Sequence, residues 1–193
     1  MPETRFRPLE LPVFNEAYQR ILLWFFAFPN RAVSLTDLCV QTKTSKTAGK
    51  AVVSRLEKDG FVTKKVVGKA WELSVVPGHA FLTTKKVAMN LLLVYESGLL
   101  PLVRQTVPNA RATILFGSYR KGDDLPESDI DIAIEVAEGK DMQIVKLGIF
   151  PKFGYRPNVA VNLHIFSRKT IDKNLFANIA NGIVLEGFLE ARP

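Results

Sequence analysis

Apolar positions change their spacing along the chain, and the changes mark its elements. The run FNEAYQRILLWFFAF, from Phe14 on, has apolar residues round one side, Glu16, Gln19 and Arg20 opposite, and a stop at Pro29-Asn30. That spacing predicts a core helix. Ser34 opens SLTDLCVQT with Asp37 three residues on, which predicts an N-capped short helix with a weak capping-box partner. Thr44 or Ser45 then opens TSKTAGKAVVSRLEKDG. Its Ala48, Ala51, Val52, Val53 and Leu56 form an apolar stripe, Lys46, Lys50, Ser54 and Lys58 form the opposite one, and Gly60 fits just past the C-terminus. The period falls to two in FVTKKVVGKAWELSVV, where two β-rich runs around a Gly-Lys turn predict a hairpin.

Pro77-Gly78 punctuates the chain and is taken as the boundary between two domains, 1–78 and 79–193. Beyond it a helical pattern runs from about residue 81 to residue 107, with a kink or break near Gly98 and Pro101. Short β-runs follow, ATILF, DIDIAIEV, AVNLHIF and a late GIVLEGF, with a helix around residues 169–179 between the last two. The expected class is α+β, a small mixed sheet packed with helices.

Composition adds that the chain buries a core, since 47% of its 193 residues are hydrophobic and 23% charged. Apolar runs such as ILLWFFAF are too short to span a bilayer, and the start MPETRFRPLE has no signal-peptide core, so no membrane is expected and a cytoplasmic protein is. A lone Cys39 permits no internal disulfide and reads as a small buried hydrophobe. The formal charge of +7 suggests a polyanionic partner. Residues 1–100 carry 14 lysines and arginines against 8 acidic residues, whereas residues 101–193 carry 12 against 11. The excess is densest in residues 41–70, which include Lys46, Lys50, Lys64, Lys65 and Lys69.

The candidate chemistry lies in ILFGSYRKGDDLPESDIDIAI. A strand runs into Gly117-Ser118, where a glycine lets the backbone turn tightly and approach a ligand, and free N–H groups with the serine hydroxyl would cradle a phosphate. Ten residues later the period-two run puts Asp129, Asp131 and Ala133 on one face and Ile130, Ile132 and Ile134 on the other. The two aspartates then stand roughly 6.5–7 Å apart, from a rise of ~3.3 Å per residue, and can converge on a hard cation such as Mg²⁺. Glu135 projects from the same face, as a further ligand or as a solvated strand end. In AVNLHIF the same alternation gives Ala160, Asn162, His164 and Phe166. His164 could take a proton near neutral pH or bond at the cleft edge, and His79 beside Pro77-Gly78 reads as a linker residue.

Two resemblances follow from these residues. Helix, helix, basic helix and hairpin over the first ~78 residues resemble a winged helix-turn-helix domain, whose third helix enters the DNA major groove while the wing touches the backbone. The resemblance implies double-stranded DNA contact through Lys46, Lys50, Lys64, Lys65 and Lys69, or a protein partner, and a homodimer if the wings pair on half-sites. Gly117-Ser118, ten residues, then Asp129-x-Asp131 resembles the signature of the minimal nucleotidyltransferases of the DNA polymerase beta superfamily. Lys121-Gly122 stands where that family often has Arg-Gly, Ser128 precedes the first aspartate, and GIVLEG is similar to its terminal segment.

The second resemblance implies a nucleoside triphosphate, ATP above all, bound at Gly117, Ser118 and Lys121. It also implies Mg²⁺ held by Asp129 and Asp131, and transfer of a nucleotidyl group to an acceptor hydroxyl. The acceptor could be a protein, since such enzymes often modify small helical toxins, none of which is part of this chain. Asn162 occupies the place of the family's third catalytic carboxylate, and an amide brings neither charge nor basicity. That departure supports an alternative, a DNA-binding regulator whose nucleotidyltransferase domain senses nucleotide without chemistry.

Overall fold

The computed structural model describes residues 4–5, 16–137 and 142–190. The expected start of the first helix at residues 14–15 and the leader reading of residues 1–10 lie outside them, save for the two residues of a short strand, β1 (Thr4–Arg5).

The N-terminal elements are α1 (Ala17–Ala27), β2 (Val33–Ser34), α2 (Leu35–Thr42), α3 (Lys46–Lys58), β3 (Val62–Val67) and β4 (Ala70–Val75). Caps set the helix starts as the sequence suggests. The Ser34 hydroxyl accepts from the Asp37 amide and donates to its carboxylate, and Ser45, rather than Thr44, accepts from the Ala48 amide. A left-handed Gly60 follows α3, and Gly68-Lys69 turns the β3–β4 hairpin. Strands run β2-β4-β3, all antiparallel. Trp24, Phe25, Phe26, Leu38, Cys39, Val53, Leu56, Phe61 and Leu73 close the core beneath them. On α3 the buried positions are Gly49, Val52, Val53 and Leu56, while Ala51 is exposed, a correction to the expected stripe. Gly49 lets α3 pack closely on α2, since a Cβ there would collide with the Cys39 sulfur.

The helical stretch beyond residue 78 is α4 (Ala80–Thr83), α5 (Lys85–Glu96) and α6 (Leu99–Thr106). The sharp bend, 61°, falls at left-handed Gly98, whereas Pro101 sits inside the first turn of α6, where a missing N–H costs nothing. Among the described residues no single helix is long and apolar enough to cross a bilayer. His79 is more than a linker. Its Nδ1 accepts the Phe81 amide and so caps α4, its Nε2 pairs with the Asp59 carbonyl, and its ring stands edge-on to Phe61 and Phe81.

The second sheet has six strands in the order β1-β7-β8-β6-β5-β9. Its members after β1 are β5 (Ala110–Phe116), β6 (Ile130–Val136), β7 (Gln143–Phe153), β8 (Arg156–Ser167) and β9 (Ile183–Gly187), with α7 (Gly117–Lys121) between β5 and β6. The central β6 pairs antiparallel with β5 and parallel with β8. Strand β7 had no counterpart in the sequence reading, and α8 covers Lys173–Ala180 instead of starting at 169, because Asp172 caps it through the amides of Asn174 and Leu175. One sheet face buries Ile130, Ile132, Ile134, Val161 and Leu163 against α5, α6 and Leu23 of α1. Full burial of each such side chain stabilises by about 1.5–3 kcal/mol, which holds β6 in register. On the other face, α8 covers Ala112, Ile114, Ala133 and Phe166 through Ile179 and Phe176. The carboxylate end of that face is left open.

Candidate active site

Strand β5 ends at Phe116, and Gly117 turns the chain with φ of 73°, a conformation that disfavours any residue with a side chain. Space gives a second reason for glycine. A Cβ at 117 would stand 2.9 Å from Asp131 Oδ2, closer than ordinary contact, so the carboxylate takes up the space a side chain would need. Ser118 follows in the first turn of the five-residue α7, half-buried beside the same carboxylate face. Lys121 lies at the far end of α7 and is exposed. Gly122 ends the helix with φ of 80°, and a Cβ there would overlap the Leu82 carbonyl. A turn then closes between Leu125 and Ser128, the Ser128 hydroxyl accepting the Leu125 amide at 2.9 Å, and delivers the chain to Asp129.

Asp129 is exposed and Asp131 half-exposed, on the open face, while their isoleucine neighbours are fully buried. Parallel pairing puts Asn162 of β8 beside Asp131 and His164 beside Ala133, and each side chain reaches back two residues along the neighbouring chain. Asn162 Nδ2 donates to Asp129 Oδ2 at 3.0 Å, and His164 Nε2 meets Asp131 Oδ1 at 3.1 Å. Phe116 stands edge-on to the His164 ring at 4.9 Å. Asn162, the residue expected at the place of a third acid, acts here as a donor that orients Asp129. The His164 ring has Nε2 engaged by Asp131 and Nδ1 buried without a partner, so neither nitrogen is presented as a free base.

Glu135 departs from both sequence readings. It is 2% exposed and takes a two-pronged hydrogen bond from Arg168, Nε to Oε1 at 3.0 Å and Nη2 to Oε2 at 3.2 Å. It is neither a metal ligand nor a solvated strand end, because α8 and Phe166 close that part of the face and Arg168 satisfies the carboxylate.

Sequence reasoning missed a buried polar cluster on the other side of the 117–131 segment. Lys86 and Asn90 of α5 and Arg156 of β8 converge on Asp124, and all four are at most 5% exposed. Asn90 donates to Asp124 Oδ1 at 2.7 Å and to the Tyr119 carbonyl at 3.0 Å. Lys86 pairs with Asp124 Oδ1 at 3.2 Å and bonds its carbonyl, while Arg156 pairs with Oδ2 at 3.4 Å and bonds the Leu125 carbonyl. Desolvation pushes the Lys86 ammonium down and the Asp124 carboxyl up from their ordinary values, against their mutual attraction, and burial lowers Arg156 to about 10. The signal available in sequence was a lysine and an asparagine four apart on the apolar side of a helix, with no indication of their partner.

The basic candidates separate into groups. Lys46 and Lys50 are exposed on α3, and Lys65 and Lys69 on the hairpin. Lys64 is half-buried, paired with Glu57 at 2.8 Å, and lies 4.7 Å over the Trp71 ring, with Lys50 5.8 Å over the same ring.

Residues 97–177 match the family model of the nucleotidyltransferase domain, and no curated protein matches the chain. The matched segment holds Gly117, Ser118, Asp129, Asp131, Asn162 and His164, and it supports a nucleotidyltransferase function for this part of the molecule.

Proposed function

We propose that residues 79–193 form a Mg²⁺-dependent nucleotidyltransferase that uses ATP, and that residues 1–78 are a winged helix that brings it to nucleic acid or to a protein acceptor. The observation that carries the reading is the pressing of Gly117 against Asp131, with Asp129 beside it on an open face. The lack of a side chain at 117 lets the Asp131 carboxylate come against the backbone turn, so a phosphate bound at that turn would stand beside the carboxylate.

Two carboxylates without further acidic company fit Mg²⁺, which keeps waters and takes its remaining oxygens from substrate phosphates. Among the described residues no group of three or more His, Cys, Asp or Glu side chains could hold an ion without such help. Asp129 and Asp131 would be the ligands; when bound, the ion would polarise the α-phosphate and offset charge on the leaving pyrophosphate. The protein's own residues orient the site. Asn162 fixes one oxygen of Asp129, His164 fixes one of Asp131, and the Ser118 hydroxyl would donate to a phosphate oxygen. Incubation with α-labelled ATP, Mg²⁺ and cell extract should label a macromolecule with the wild-type chain and not with Asp129→Ala. Equal labelling by both would end this assignment.

Asn162 favours a second reading, a DNA-binding regulator that binds nucleotide without transferring it, since the position expected to supply a base is an amide bonded to Asp129. The element order of the N-terminal part and the exposed Lys46 and Lys50 on α3 support contact with duplex DNA in either reading. Duplex affinity should fall with salt, and Lys46→Ala or Lys50→Ala should each lower the salt slope by about 1. Lys64→Ala should lower it less, because Glu57 already offsets that charge. ATP binding without pyrophosphate release, accompanied by a change in DNA affinity, would select the regulator.

A further inference from the structure

The open sheet face does not end at β8. Phe116 is paired with Asp131, Asp131 with Asn162, and Asn162 with Lys146 of β7, so four strands contribute one transverse row. The flanking residues fix the side on which Lys146 stands. Val145 and Leu147 pack into the core of the other face, so Lys146 shares the face of the aspartates, and it is exposed there. The register shifts between Lys146 and Gly148, a bulge immediately beside the candidate site, and bulges in such places re-aim a side chain. Directly opposed residues have Cβ atoms about 4.5–5.5 Å apart, well within the reach of a lysine.

Charge gives this placement a meaning. A triphosphate bears several negative charges, and three carboxylates would recruit two divalent cations to offset them. With Asn162 in the third position this site has two carboxylates, and the residue facing the substitution is a cation. Lysine binds phosphate as a compact point charge.

We propose that Lys146 is a substrate-binding residue of the site. Its ammonium contacts a non-bridging oxygen of the nucleoside triphosphate and supplies the positive charge that a second metal ion would otherwise bring. Lys146 stays protonated throughout and makes or breaks no bond. The proposal rests on the nucleotidyltransferase reading of the site.

The test is calorimetric titration of the full chain with a non-hydrolysable ATP analogue, in Mg²⁺ and in excess EDTA. Lys146→Met should raise Kd by about tenfold or more in Mg²⁺, the usual weight of a hydrogen bond to a charged group, and abolish the residual binding in EDTA. Lys146→Arg should keep both within a few-fold. Lys152→Met, on the same strand but opposite Pro157, should match the wild type. Asn162→Asp should place a carboxylate opposite Lys146, weaken binding in EDTA and steepen its dependence on Mg²⁺. Equal binding by wild type and Lys146→Met, with binding lost in Asp129→Ala, would overturn the role of Lys146 and leave the site assignment standing. Absence of binding by the wild type would overturn both.

Discussion

Two polar clusters flank the segment that runs from Gly117 to Asp131, and they are built to opposite rules. On one side Asp129 is exposed and Asp131 half-exposed, and the side chains that meet them are the Asn162 amide and the His164 imidazole. On the other, Asp124 is sealed from water beneath two cations and an amide, so that positive charge exceeds negative. A buried carboxylate with every oxygen engaged fixes the backbone that carries it. An open pair of carboxylates is what the Mg²⁺ and phosphate of the proposed reaction would require. The difference lies in saturation rather than in residue type, since both clusters are built on aspartates of one fifteen-residue stretch, 117–131, which also holds Asp124.

The sharpest way to break this comparison is to remove a carboxylate from each side. Asp131→Ala should eliminate nucleotidyl transfer in the labelling assay while leaving the urea midpoint nearly unchanged, within about 0.5 kcal/mol, because an accessible site contributes little to stability. Asp124→Ala should destabilise by about 3–5 kcal/mol in the same unfolding measurement, since Lys86 and Arg156 are then buried without an anion. Should Asp124→Ala unfold no more readily than Asp131→Ala, the saturated cluster would lose its structural role. A smaller effect, about 1–3 kcal/mol, is expected of Gly122→Ala, which strains a left-handed backbone and drives a methyl group into the Leu82 carbonyl of α4. Of the three destabilising changes Lys86→Met should cost least, about 1–2 kcal/mol, because Arg156 still balances Asp124 and the main loss is the donor to its carbonyl.

Much of this architecture is readable in the sequence, for physical reasons that differ between elements. The period of two in DIDIAIEV survives into β6 because one face is buried throughout, and a slip by one residue would put three isoleucines in water. Caps at Ser34 and Ser45 are local interactions, legible within four residues. Strand β7 was not legible, since QIVKLGIFPKF interrupts its alternation with a bulge at Gly148 and contains Pro151, both of which argue against a strand in isolation. Glu135 was misread because its burial depends on Arg168, thirty-three residues away, and on the cover that α8 provides. The aspartates and Asn162 could be placed on one face by alternation alone, but the hydrogen bond between Asn162 and Asp129 required the parallel register of β6 and β8, which no local pattern encodes.

Lys85 and Lys86 are adjacent in the first turn of α5, yet they serve different parts of the molecule. Lys85 lies over the Phe81 ring and donates to the Tyr18 hydroxyl of α1, whereas Lys86 enters the cluster at Asp124. A helix turns by about 100° for each residue, so the two attachments are geared to each other through a single peptide unit. Inserting or deleting one residue between Thr84 and Asn90 would swing Lys85 and Lys86 relative to the rest of the helix, and no rigid rotation could restore both contacts. Substitutions within this turn can be absorbed one contact at a time, but changes in its length cannot, and a natural variant chain should therefore differ here in residue identity and never in residue count.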